Sequence, residues 1–286
     1  MDPGKPNRWW LPGPPPPRRL ISLHDVEESY RLEGIPELAV PVRSVTLRGP
    51  LTAAGPLAPY TGQLGRPVTD PQGAPVAAPA YLFHGCGEPV SPEVIRSFAR
   101  RGPSIRCSRS SSYFSPRPAV YWSNSVEFAI AWSLFARTGS WGLDQADRED
   151  RQSFECLIFV SRLDLGTAKF DGGLYMIPRP QTPEEEEELG QWCEQNMNRG
   201  DLGHKRPAPP PKSHRADWGV IGSRIPRSTM QSLTMFREKT DKIWLFAACN
   251  YASSRAIAEA SVEILHITGT FQFTPATEST SNLSKL

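Results

Sequence analysis

Several things are missing from this chain, and each absence closes off a class of function. There is no Cys-x-x-Cys pair: Cys86, Cys107, Cys156, Cys193 and Cys249 are scattered and odd in number. Neither a disulfide framework nor a cysteine-ligated zinc site is indicated, and a reducing compartment fits best. No run approaches the roughly 20 apolar residues that span a bilayer. The opening "MDPGKPNRWWLPGPPPPRRL" lacks the apolar centre of a secretory signal. The expectation is a soluble intracellular protein, cytoplasmic or nuclear, with no membrane partner. Charge of one sign is also missing: Lys+Arg 32 against Asp+Glu 30 gives +2, so overall charge does not indicate nucleic acid. Neither a GxGxxG nor a P-loop pattern occurs.

What is abundant is proline. The chain has 30, and more than half lie before residue 80, including the consecutive Pro14 to Pro17. Proline fixes φ and removes a donor, so long helices and central strands are excluded there. Residues 1–78 are therefore expected to be mostly irregular, with a short helix near His24–Leu32 and one strand in "VPVRSVTLRG". The Pro-rich head reads as an extended tail, or as a ligand for proline-binding modules. The charges that do occur are segregated, with arginines gathered between Arg96 and Arg109 and an acidic run from Glu184 to Glu188.

From residue 79 to 269 the pattern is that of a folded domain. "AYLFHG" reads as a strand. "SPEVIRSFARRG" reads as a helix capped by Ser91, with Pro92 in its first turn and Gly102 ending it. "AVYWS" is a strand, and "SVEFAIAWSLFAR" a helix with Phe128, Ala131, Trp132 and Phe135 at helical spacing. "FECLIFVSRL", "KIWLFAA" and "VEILHITG" are further strands. Thr182–Lys212, acidic and then Pro-rich, reads as an excursion from the core, and 270–286 as a frayed tail. The order of elements favours α+β over a doubly wound parallel sheet.

Two segments carry chemistry. A His-Gly pair ends the "LFHG" strand, at His84 and Gly85. Without a Cβ, Gly85 lets a ligand amide approach the backbone. His84 offers a ring nitrogen to a ribose hydroxyl. Tyr121, on "AVYWS", offers a ring for stacking on a planar heterocycle. Trp132, eleven residues on, either closes the slot or packs the core. A core role for His84 and a packing role for Tyr121 are the plain alternatives. Cys86 beside His84 does not make a nucleophile–base pair, because the two lie too close along one strand end to converge on one atom.

"YLFHGC" followed by "SSSYFSPRPAVYWSNSVEFAIAWS" resembles the first two motifs of the ADP-ribosyltransferase superfamily, in its histidine-tyrosine (diphtheria-toxin and poly-ADP-ribose polymerase-like) branch. The resemblance rests on Leu82, Phe83, His84 and Gly85, then on Tyr121, Ser123, Ala129 and Trp132. It covers residues 80–135, extends to about 268, and leaves out 1–78. It implies a split antiparallel sheet flanked by helices, with NAD as co-substrate. His84 would hold the adenosine-side ribose and Gly85 the nicotinamide carboxamide. Tyr121 would stack on nicotinamide, and Ser123 would approach the carboxamide or ribose. The implied reaction expels nicotinamide through an oxocarbenium-like state and passes ADP-ribose to an acceptor that the sequence does not identify. On this reading the arginines of 96–109 either meet the pyrophosphate or form a solvated face.

The family's third motif, an acid at the start of a late strand, falls here on "TDKIWLFAA". Asp241 stands there with Glu238 one turn earlier, as the candidate catalytic carboxylates. Asp241 reaches about 1–1.5 Å less than glutamate would, and about 1 Å of misplacement costs roughly a hundredfold. Lys242 opposes a cationic transition state. "ADWGVIGSRI" leads into this motif, and Ser223–Asp241 would be the acceptor-facing loop. Two functions follow: an NAD-dependent ADP-ribosyltransferase, or the same fold without turnover, serving as an NAD-sensing or protein-interaction module. Both expect the imidazole of His84 and the phenol of Tyr121 within about 12 Å of one another and on one surface of the sheet, whose layers sit about 10 Å apart.

Overall fold

The computed structural model describes residues 31, 33–48, 55–62, 66–108, 113–138, 153–198, 208–225 and 242–270. Eight strands form one sheet: β1 (Val42–Arg48), β2 (Pro79–Gly85), β3 (Val120–Ser123), β4 (Ser153–Asp164), β5 (Leu174–Met176), β6 (Val220–Arg224), β7 (Trp244–Ala248) and β8 (Ser261–Thr270). Their spatial order is β1-β8-β4-β2-β3-β7-β6-β5. The helices are α1 (Ala58–Thr61), α2 (Pro92–Arg101), α3 (Val126–Thr138), α4 (Pro183–Asn198) and α5 (Tyr251–Glu259).

The α+β expectation holds. The purely antiparallel sheet does not, since β1 runs parallel to β8 and β5 parallel to β6. β1 comes from the stretch expected to be mostly irregular, yet it pairs with β8 from Val42↔Ile264 to Arg48↔Thr270. The sheet thus continues across residue 79. Arg43 explains part of that docking: Nε and Nη2 each lie 2.7 Å from a carboxylate oxygen of Glu263, and the Tyr60 hydroxyl of α1 bonds the same carboxylate.

β4 is the spine of the sheet. Every residue from Cys156 to Ser161 is buried. Alternation sends Leu157 and Phe159 to one face and Cys156, Ile158 and Val160 to the other. The first face is covered by α2 and α5, through Val94, Phe98, Ile257 and Ala258. The second is covered by α3 and α4, through Phe128, Ala129, Ile130, Leu189 and Trp192.

α2 forms as its sequence dictates. The Ser91 side chain accepts from Val94 N, and Gly102 ends the helix at φ 74°, where an L side chain is strained. α4 departs from expectation. Its acidic first turn lies outward, but Leu189, Trp192 and Cys193 are buried against the sheet, so the segment belongs to the core. The Pro-rich stretch behind it is tied down too. The Trp192 indole donates to Ala208 O at 3.2 Å and the Tyr175 hydroxyl to Pro211 O at 2.8 Å.

The expected helix near His24–Leu32 and the frayed tail lie outside the described residues, apart from Arg31 and Thr270. None of the five cysteines is in a disulfide. Among the described residues no helix is long and apolar enough to cross a membrane.

Candidate functional site

β2 and β3 are neighbours joined by a single register pair, Phe83↔Ser123. On their outer sides both strands are fully laddered: β2 pairs with β4 from Pro79↔Asp164 to Gly85↔Ile158, and β3 pairs with β7 at all four of its residues. Beyond Phe83 the two strands part, leaving a seam in the middle of the sheet.

His84 spans that seam. Its Nδ1 lies 2.7 Å from the carbonyl oxygen of Tyr121. A carbonyl only accepts, so Nδ1 carries the proton and Nε2 is left as an acceptor. The imidazole is wedged between Phe98 and Trp122, with ring centroids 5.9 and 5.5 Å away. Desolvation by these aromatics pushes its pKa down to about 4, against the smaller opposing pull of the Tyr121 carbonyl. His84 is therefore neutral at pH 7, and its Nε2 has no partner among the described residues.

Gly85 shows why a glycine follows. A Cβ there would meet the Ala129 carbonyl oxygen at 2.3 Å, so α3 lies directly on the backbone of β2. One turn further along α3, the hydroxyl of the buried Ser133 donates to Cys86 O.

The structure thus brings His84, Gly85 and the backbone of Tyr121 together, but it corrects the expectation of one shared surface. Tyr121 and Trp122 are consecutive in a regular strand and point to opposite faces. The imidazole shares its face with Trp122. The phenol lies on the other face, where its hydroxyl accepts from Phe114 N at 2.7 Å and its ring tilts against Phe114 at 5.8 Å. No one surface of the sheet presents both rings, and Tyr121 packs on Phe114 as the plain alternative expects.

Ser123 is buried, and its Oγ accepts from Ser125 N at 3.0 Å. It shapes the strand-to-helix corner, where Ser125 Oγ in turn accepts from Phe128 N at 3.2 Å. Trp132 is half-buried on α3 and leans on Phe135 at 5.5 Å. Glu238 and Asp241 lie outside the described residues, as does most of the expected acceptor-facing loop. Lys242 is exposed.

Three of the arginines expected either at a pyrophosphate or on a solvated face hold the N-terminal segment instead. Arg100 pairs with Glu37, and Arg106 with Glu33. Arg101 donates to Ile35 O at 3.1 Å.

The sequence alone assigns no role to Asn124. Its side chain bonds both Lys242 O and Trp244 N. A polar residue between two serines at a strand end was the available signal.

No protein-family model matches this chain, and neither does any curated protein or solved structure.

Proposed function

We propose that this chain binds NAD at the β2–β3 seam and transfers ADP-ribose from it to an acceptor, in the manner of the ADP-ribosyltransferase superfamily. One observation carries the reading: the quoted His-Gly and Tyr motifs, far apart in sequence, meet at the β2–β3 junction, where the described strands share a single register pair. The split-sheet architecture of that superfamily has such a junction.

The chemistry available there suits NAD. Neutral His84 presents Nε2 as an acceptor for a hydroxyl of the adenosine-side ribose, away from the nicotinamide end, while Nδ1 is held by Tyr121 O. Gly85 keeps the β2 backbone free of a Cβ beside α3. Tyr121 and Trp132 lie on the opposite face of the sheet from the imidazole, so the stacking contact expected of them is not part of this proposal. Loss of nicotinamide breaks the C1′–N bond, the electron pair leaves with nicotinamide as a neutral amide, and the acceptor's N–H or O–H bonds C1′ as its proton passes to solvent. A carboxylate from Glu238 or Asp241 would stabilise the cationic sugar.

The second reading, NAD sensing or protein interaction without turnover, draws on Lys242. This exposed cation stands where the superfamily places its acid.

Labelled NAD incubated with the full chain and with His84→Ala separates these readings. Incorporation that the substitution abolishes supports transfer at this site. Incorporation that it leaves unchanged removes His84 from the site. Thermal stabilisation without incorporation favours the sensor, and NAD at 100 times its Kd is worth about 2.7 kcal/mol.

A further inference from the structure

The corner that carries Tyr121 is bolted to the start of β7 by one side chain. Asn124 directly follows the last residue of β3 and is 3 % exposed. Its backbone N donates to Trp244 O at 3.2 Å, continuing the β3–β7 ladder one step past Ser123↔Leu245. Its side chain then acts as a further peptide group. Oδ1 accepts from Trp244 N at 2.8 Å, and Nδ2 donates to Lys242 O at 2.9 Å. A primary amide is the one short side chain that presents a donor and an acceptor side by side without charge. Aspartate at neutral pH would face the Lys242 carbonyl with a second acceptor. Alanine would leave a buried Trp244 N–H and a Lys242 C=O to find other partners.

We infer that Asn124 is a positioning residue. It fixes the backbone at Lys242–Trp244 relative to Tyr121 and α3, and so anchors β3, which borders the seam, to β7 on its other side. Ser123 and Ser125 brace the same corner through their hydroxyls. The kinetic consequence rests on the reading of the seam as an NAD site. The geometric one does not.

The test uses the full chain and two variants, Asn124→Ala and Asn124→Asp, each compared with the unsubstituted protein at pH 5 and pH 8. The first readout is amide exchange at Trp244, and the second is nicotinamide release from NAD. In Asn124→Ala the Trp244 amide exchanges at least about tenfold faster while the fold persists. Its kcat falls roughly tenfold or more with KM within about threefold, because positioning is lost and ground-state binding is not. Asn124→Asp matches the alanine variant at pH 8. Burial and the facing Lys242 carbonyl raise the introduced carboxyl above its ordinary value of about 4, so at pH 5 it takes up a proton and again offers one donor and one acceptor, and the variant recovers toward wild type; a merely structural defect would show no such return. If alanine does not fold, the aspartate pair at the two pH values decides alone.

Unchanged Trp244 exchange in Asn124→Ala overturns the inference, as does aspartate behaviour that does not differ between the two pH values. If the unsubstituted chain neither binds nor cleaves NAD, the functional reading fails instead, and the exchange readout still judges Asn124.

Discussion

A half-buried, neutral histidine at a strand junction leaves a measurable mark on stability. Folding lowers the His84 pKa from 6.5 to about 4. Between those values the unfolded chain takes up a proton that the folded chain refuses. The contribution is complete above about pH 6.5 and is lost as pH falls toward 4, amounting to at most about 3 kcal/mol. His84→Asn keeps a donor in reach of Tyr121 O and removes the titration. Urea unfolding from pH 7 to pH 4 is therefore expected to show a shallower loss of stability for the variant than for wild type; parallel curves would contradict a desolvated imidazole. Gly85 makes a second residue-level demand. The Ala129 carbonyl sits 2.3 Å from where a Cβ would lie. Gly85→Ala must push α3 away from β2, at a cost of about 1–3 kcal/mol in denaturant unfolding. An unchanged midpoint would mean that the helix does not lie on β2. His84 and Gly85 were legible in the sequence, because His-Gly at a strand end is an unusual pair. The direction of the Tyr121 ring was legible in principle, since alternation with Trp122 decides it. What the sequence does not display is which face the imidazole takes, because that depends on where β2 and β3 part.

Elements with a strong single period were readable, and those whose partners lie far away were not. β4 and β8 carry continuous β-branched and apolar residues, and α2 carries its own cap and stop signals; these stood out. α4 did not. Its run of five glutamates conceals three core residues, Leu189, Trp192 and Cys193, spaced three and four apart behind it. Trp192→Ala is expected to cost about 3–5 kcal/mol, since the ring is buried and its indole N–H holds Ala208 O. A loss under about 1 kcal/mol would restore the view of this segment as a surface excursion. α5 was missed because only Ile257 and Ala258 of its nine residues are buried apolar groups. β1 was legible as a strand, but its place was not: parallel pairing with a strand 222 positions away is a tertiary fact. A chain beginning at Pro79 would lose β1, with its buried Val45 and Leu47, and open the edge of β8. Sedimentation should show that truncated chain self-associating where the full chain does not. A truncated chain as monodisperse and as heat-stable as the full one would show β1 to be dispensable.

At the scale of the whole molecule, the sheet is two laddered halves joined at one register pair, with helices on both faces. The two motifs sit on either side of that junction, with His84 and Tyr121 37 positions apart in the chain and joined by one hydrogen bond. The basic face was not anticipated correctly in role. Arg100, Arg101 and Arg106 face the N-terminal segment because Glu33, Ile35 and Glu37 return across the end of α2, a path set by the backbone bonds Leu38 N to Arg100 O and Val40 N to Ala99 O. The central claim is that the seam between β2 and β3 receives NAD, with Nε2 of His84 as acceptor for a hydroxyl of its adenosine-side ribose. Calorimetric titration of NAD into the full chain and into His84→Ala tests it most directly. The account predicts saturable binding to the unsubstituted chain, weakened at least about tenfold by the substitution, as expected for a lost hydrogen bond in a desolvated site. No binding, or equal affinity in both proteins, would contradict it.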